Sequence, residues 1–215
     1  MLLNPIIESV LEKVKKQLST SMPSHDWEHT KRVLKLAIHI GEKEGADVEI
    51  LKLASLLHDI GREEQRKSGG EVCHAEAGAK MASRILKGLD LEPEKVEEVV
   101  HCIEVHRSKS DRQRRSLEAK VLYDADKLDG IGAVGIGRAF VFAGEIGARL
   151  YDKDFDIGEV DPESDVKTAY SQFLLSSKYV RDWILTEEGR RIAEDRHHFM
   201  VDFFERFNHE VEGEL

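Results

Sequence analysis

Apolar positions recur at helical spacing along almost the whole chain. Residues 26–44 place Trp27, Thr30, Leu34, Ala37, Ile38 and Gly41 on one face, while Val33, Leu36 and Ile40 form a second apolar face. That pattern predicts a helix covered on two sides, with Ser24 or Asp26 as its cap. Residues 47–60 contain "ILKLASLLHDI", apolar nearly all round, as a central buried helix requires, and Gly61 is placed to end it. A polar stretch, "REEQRKSGGE", separates this run from a predicted helix over about 74–87. The next helix, about 92–106, carries Pro93 in its first turn and repeats Val96, Val99, Val100 and Ile103.

Beyond a basic loop, "LEAKVLYDADKLDGIGAVGIGRAFVFAGEI" reads as a helix to about 129, a glycine-rich turn and a further helix. The acidic stretch "YDKDFDIGEVDPESD" reads as a loop. Two helices close the chain, at about 164–180 and 187–208. The last is capped by Thr186, with Ile192, Phe199, Met200, Phe203 and Phe207 as its apolar stripe. Strand patterns are nearly absent, so the expected fold class is all-α, a helical bundle forming a single domain over residues 1–215.

Composition supports helix: only 4 prolines stand among 215 residues, and 34% of the chain is charged. The net charge of -10 argues against a partner that is a nucleic-acid polymer tracked by bulk charge. No apolar run approaches membrane-spanning length, and "MLLNPII" lacks the basic start of a signal peptide. Cys73 and Cys102 are expected to be free thiols, and the cytoplasm is the expected location.

Against this background, two segments pair histidine with aspartate inside apolar helix patterns: His25-Asp26 in "SHDWEHTKRV", which also holds His29, and His58-Asp59 in "ASLLHDIGR". Buried helices seldom accept such groups unless they are paired or bound to metal. Adjacent residues project about 100° apart on a helix, but a doublet at an open helix end can bend toward one point. Farther along, "LYDADKLD" offers Asp124, Asp126 and Asp129. Two imidazoles and two carboxylates drawn from three helices would make a mixed nitrogen–oxygen site for a divalent cation.

Other patterns carry less. Cys73-His74 and His101-Cys102 diverge too far to converge on a tetrahedral zinc. "DKDFDIGEVDPE" imitates a calcium loop through Asp152, Asp154, Asp156 and Glu163, but has Ile157 where the loop needs glycine. "GIGAVGIG" follows no strand and has the wrong spacing for a dinucleotide fingerprint. Arg107, Lys109, Arg112, Arg114 and Arg115 form a basic run able to fork onto phosphate oxygens.

The early histidine in "HDWEHTKRV", the doublet in "LLHDIGR" and the late aspartate in "DADKLD" resemble the HD-domain metal-dependent phosphohydrolases. "HDWEH", "DADKLDGIGAVGIGRAF" and "AEDRHHFMVDFFERF" are similar to the small bacterial YpgQ- and YedJ-like subgroup. The resemblance implies an HD-type helical domain whose metal core lies at about 25–130, with the C-terminal helices, about 164–208, packing on it. It implies His29, His58, Asp59 and Asp126 as ligands, selecting Asp126 from the three aspartates, and a divalent cation. Manganese or magnesium is the usual one; iron, cobalt and nickel are alternatives. Asp59 and Glu63 become the candidate catalytic carboxylates. His25, His74, His106, Lys127 and Arg138 become candidate substrate contacts, and His74 and His106 could instead hold a second metal. The implied activity is hydrolysis of a phosphate ester or anhydride in a nucleotide, in the subgroup a nucleoside triphosphate split into monophosphate and pyrophosphate. Alternatives are a cyclic-nucleotide phosphodiesterase, a nucleotidase, a diiron oxygenase, or a sensor that binds nucleotide or metal without turnover. The oligomeric state is left open.

Overall fold

A computed structural model describes residues 5–18, 26–107, 112–152 and 168–214. Among the described residues every regular element is helical. The chain divides into two compact units, Met1–Asp126 and Lys127–Leu215.

The first unit is built from α1 (Pro5–Leu18), α2 (Trp27–Glu44), α3 (Val48–Leu57), α4 (Arg62–Lys67), α5 (His74–Leu86), α6 (Pro93–Val105) and most of α7 (Leu117–Leu128). Asp26 starts α2: its Oδ1 accepts the backbone N–H of His29 at 3.0 Å. Gly45, at φ 79°, ends that helix in the left-handed region, and Asp47 caps α3 two residues later through the N–H groups of Glu49 and Ile50. So short a connection makes α2 and α3 an antiparallel pair. α5 and α6 form a second packed pair, and α3 lies against α1, α2 and α6. Its residues Leu51, Leu53, Ala54, Leu56 and Leu57 are all buried, as the all-round apolar pattern predicts. Asp47 N–H donates to Glu118 Oε1 at 2.8 Å and so ties the start of α3 to the start of α7.

Three expectations need correction. α3 stops at Leu57, and "REEQRK" is not an unstructured polar stretch but the short helix α4. Gly61 therefore does not end a helix in the left-handed region; at φ -85° it precedes α4. Its need for glycine is spatial: a Cβ there would stand 2.2 Å from the carbonyl oxygen of His74 and 2.5 Å from the backbone nitrogen of Gly78. In α2 the buried stripe is His29, Thr30, Val33, Ala37, Ile40 and Gly41, rotated from the predicted face, with Leu34, Leu36 and Ile38 only half-buried.

The second unit holds the end of α7, α8 (Gly132–Glu145), α9 (Ala169–Leu175), a 3-10 turn (Ser177–Tyr179), α10 (Val180–Trp183) and α11 (Glu187–Val211). The predicted helix over 164–180 is broken. Residues 164–167 lie outside the described residues, a capping box between Thr168 and Ser171 opens α9, and Ser176 leaves helical geometry at φ -136°. Thr186 caps α11 as expected. The stripe of α11 is shifted, because Ala193, Met200 and Phe204 are buried while Phe199 is exposed. Phe204 packs on Phe173, Phe203 and Tyr170. Among the described residues no helix is long and apolar enough to cross a membrane.

Candidate metal centre

Four buried histidines stand at helix ends in the first unit. His29 is in the first turn of α2 and His58 follows the last residue of α3; His74 opens α5 and His106 follows the last residue of α6. Antiparallel pairing of consecutive helices explains the arrangement, since it returns the end of the second helix to the start of the first. The Nε2 atoms of His29 and His58 are 3.3 Å apart, and those of His74 and His106 3.2 Å apart.

Asp59 lies between the two pairs. Its Oδ2 is 3.6 Å from Nε2 of both His29 and His58. Its Oδ1 is 3.6 Å from Nε2 of His74 and 3.7 Å from that of His106. Asp126 joins the first pair, with Oδ1 3.5 Å from His29 Nε2 and 4.0 Å from His58 Nε2. Two groups able to hold a cation result: His29, His58 and Asp126, and Asp59, His74 and His106. The structure thus brings together the four residues expected as ligands, and adds His74 and His106 around the second oxygen of Asp59.

The hydrogen bonds behind the rings fix which nitrogen faces inward. A carbonyl oxygen can only accept, so Nδ1 of His58 carries a proton and donates it to Ser55 O at 2.7 Å. His106 Nδ1 donates in the same way to Ile103 O at 2.6 Å, and His74 Nδ1 to Gln65 Oε1 at 2.9 Å. In the neutral rings Nε2 is left with its lone pair directed into the site, the form that ligates a metal.

Burial keeps two of these rings, His58 and His74, neutral. Burial pushes the His58 imidazole down to about 4, although Asp59 pulls the other way. Burial, with Arg62 next in weight, drives His74 far below its ordinary value. For Asp59, burial favours the neutral acid, but Arg62 and His58 outweigh it and hold the carboxyl well below the usual range. The result is a buried carboxylate beside the neutral rings of His58 and His74, and its Oδ2 has no hydrogen-bond partner. Arg62 pairs with Oδ1 only, and a buried carboxylate oxygen left without a hydrogen bond is costly. Ligands about 2.1 Å from an octahedral cation stand about 3.0 Å apart at adjacent positions and about 4.2 Å at opposite ones. The separations around His29 and His58, 3.3 to 4.0 Å, lie within those limits. The nitrogen and oxygen donors, the orphaned oxygen and the spacing all fit a divalent cation.

The remaining candidates fall in different places. His25, Lys109 and Asp154, Asp156, Ile157 and Glu163 of the acidic loop lie outside the described residues. Asp26, the partner of His25 in the first doublet, serves as a cap. Glu63 belongs to neither cation-holding group: it lies exposed on α4 with its carboxylate forked by Arg66 at 2.6 and 2.8 Å, and that contact lowers its basicity. Lys127 follows Asp126 on α7 and is half-buried. Arg138 donates to Asp129 Oδ2 at 2.9 Å within the second unit, so it serves a buried carboxylate there. Asp124 is fully buried and interacts electrostatically with Arg114.

Of the basic run, Arg114 covers the Tyr123 ring and donates to Arg107 O, and Arg112 pairs with Glu104. Arg107 donates to Cys73 Sγ, and its charge acts on His74. The cysteines do not meet: Cys102 is buried and donates to Glu98.

Sequence reasoning missed two positioning residues. Arg62 Nε donates to Asp59 Oδ1 at 2.9 Å. Its signal was available, since three residues after Asp59 is one helical turn. Gln65 orients His74, and nothing in "REEQRK" distinguishes it from its neighbours.

A family model described as HD domain matches residues 26–131. Over 214 residues the chain is 34% identical to an uncharacterized protein, YpgQ of Bacillus subtilis, spanning 96% of this chain and 94% of that protein. The crystal structure of Bacillus subtilis YpgQ in complex with ADP matches with a TM-score of 0.77 and 32% identity, over 96% of this chain and 98% of that one. An HD-superfamily hydrolase from Bacillus thuringiensis matches with a TM-score of 0.75 and 32% identity, over 96% of each chain.

Proposed function

This chain belongs to the HD-domain family and is a metal-dependent phosphohydrolase, and from that premise we propose that it hydrolyses nucleotides, with a nucleoside triphosphate split into monophosphate and pyrophosphate as the favoured reaction. The observation that carries the reading is the Asp59 carboxylate, buried and flanked on each oxygen by a pair of imidazole Nε2 atoms. The binding of ADP by YpgQ, similar over nearly the whole chain, supports a nucleotide.

In this proposal His29, His58, Asp59 and Asp126 hold a divalent cation, manganese or magnesium. That cation supplies Lewis acidity toward a phosphoryl oxygen and makes water more acidic. The chain's own residues do the rest. Ser55, Ile103 and Gln65 hold the rings of His58, His106 and His74 so that Nε2 is directed inward. Asp59 stays ionised and is the carboxylate within reach of both groups. Arg62 and Arg107, whose charges both act on His74, place positive charge beside the cluster, where phosphate oxygens are attracted. A cytoplasmic location, where nucleotides abound, belongs to the same proposal.

The test is a screen of metal-loaded protein against nucleotides of every phosphate length, with product masses identified. Monophosphate and pyrophosphate from a triphosphate support the reading; release of inorganic phosphate alone, or turnover confined to cyclic nucleotides, redirects it within the family. A second reading is favoured by the convergence of His74 and His106: the same imidazoles suit a diiron oxygenase. Two irons per purified chain without phosphohydrolysis would favour that.

A further inference from the structure

Arg62 stands at the oxygen that the second group of ligands shares. Asp59 Oδ1 accepts Arg62 Nε–H at 2.9 Å and lies 3.6 and 3.7 Å from the Nε2 atoms of His74 and His106. Arg62 is the first residue of α4, with 30% of its side chain exposed, whereas Asp59, His74 and His106 are buried.

A guanidinium is a permanent cation with donors only. It can satisfy the carboxylate, but it cannot be ligated by the imidazoles. The two Nε2 atoms, 3.2 Å apart, are therefore left facing each other while Arg62 holds Oδ1. A divalent cation at that point would satisfy all three side chains and would need the oxygen that Arg62 occupies.

We propose that Arg62 and a second divalent cation compete for Asp59 Oδ1, so that Arg62 sets whether the chain carries one cation or two. The inference rests on the reading of these clusters as metal sites. Asp59 Oδ2, on the side of His29 and His58, takes no hydrogen bond from Arg62, so the first site is independent of this competition.

Arg107 separates competition from simple repulsion. Its charge also acts on His74, but it donates to Cys73 Sγ and makes no hydrogen bond to Asp59. Removing it removes positive charge near the second site without freeing Oδ1.

The experiment is titration of the metal-stripped full chain with manganese chloride, followed by calorimetry and by electron paramagnetic resonance, which detects coupled manganese pairs. The wild-type chain is expected to bind one ion tightly and a second weakly. Arg62→Gln is expected to tighten the second step about tenfold or more, leave the first within about twofold, and raise the coupled-pair signal at equal manganese. Arg107→Gln is expected to move the second step by less than about threefold. If Arg62→Gln does not fold, Arg62→Lys, which keeps the charge but loses the planar fork, is expected to tighten the second step by a smaller factor.

Two equally tight steps in the wild-type chain overturn the proposal. So does a second step unmoved in the Arg62 variants, or moved equally by Arg107→Gln. If manganese binds at neither step, the metal reading itself has failed; one tight ion with normal turnover and no effect at Arg62 sinks this inference alone.

Discussion

His74 Nε2 and His106 Nε2 stand 3.2 Å apart in the interior, while Nδ1 of each ring is already bonded to a carbonyl oxygen, from Gln65 and Ile103. Two ring nitrogens held face to face need a proton or a metal cation between them. The partners behind the rings thus aim both Nε2 atoms at one place, where the proposed second cation would be held.

Asp59→Asn keeps the shape of the side chain but removes the charge shared by the two groups. Manganese binding is expected to be lost at both, and turnover to fall more than about a hundredfold, with the helical circular-dichroism signal retained. Metal analysis of the purified variant checks the first effect and a product-release assay the second.

Gln65→Leu leaves every ligand in place but takes the acceptor from His74 Nδ1. Affinity at the His74–His106 group is expected to fall about tenfold, while the group at His29 and His58 is spared. Stepwise manganese titration distinguishes the two.

Gly61→Ala places a Cβ 2.2 Å from the carbonyl oxygen of His74, a backbone atom that cannot rotate away. Because φ at Gly61 is an ordinary -85°, the cost comes from the clash, about 3 kcal/mol. Urea denaturation measures it. Displacement of the start of α5 should also weaken cation binding at His74.

Without metal, acid should loosen the fold early. The unfolded chain protonates His58 near 6.5, whereas the folded chain resists until about 4. Between those values the unfolded state binds the extra proton, so this contribution is complete above 6.5 and is lost as the pH falls through about 4. It amounts to about 3 kcal/mol. His74, lowered for the same chief reason, acts with the same sign. Melting temperatures of metal-stripped protein should drop across that window, and added manganese should raise them most at its upper end, where His58 and His74 are unprotonated in the folded chain.

Glu63→Gln is expected to change turnover less than about threefold, because the carboxylate is exposed and bound by Arg66. A loss of a hundredfold would return Glu63 to the reacting centre.

Much of this was legible in the chain. Helical periodicity gave α2, α3, α5, α6 and α11 nearly to their ends, because burial on one face imposes a repeat that any window of the sequence retains. The doublet His58-Asp59 could be read as a site because charge in an apolar run demands a partner. The stripes of α2 and α11 came out rotated, since a helix apolar on two faces does not say which face its neighbours cover. The break at Ser176 was missed because the polar residues there suit a helix surface as well as a turn.

The sequence by itself determined the helices, the residue types able to bind a cation, and the family to which they belong. Only the tertiary structure decided that His74 and His106 share one carboxylate with His29 and His58, that Arg62 holds that carboxylate, and that Gln65 orients a ligand. The reason is physical. Periodicity records what each helix buries, whereas coordination depends on which helix ends meet, and that is fixed by short antiparallel connections and close backbone approaches such as Gly61 against α5.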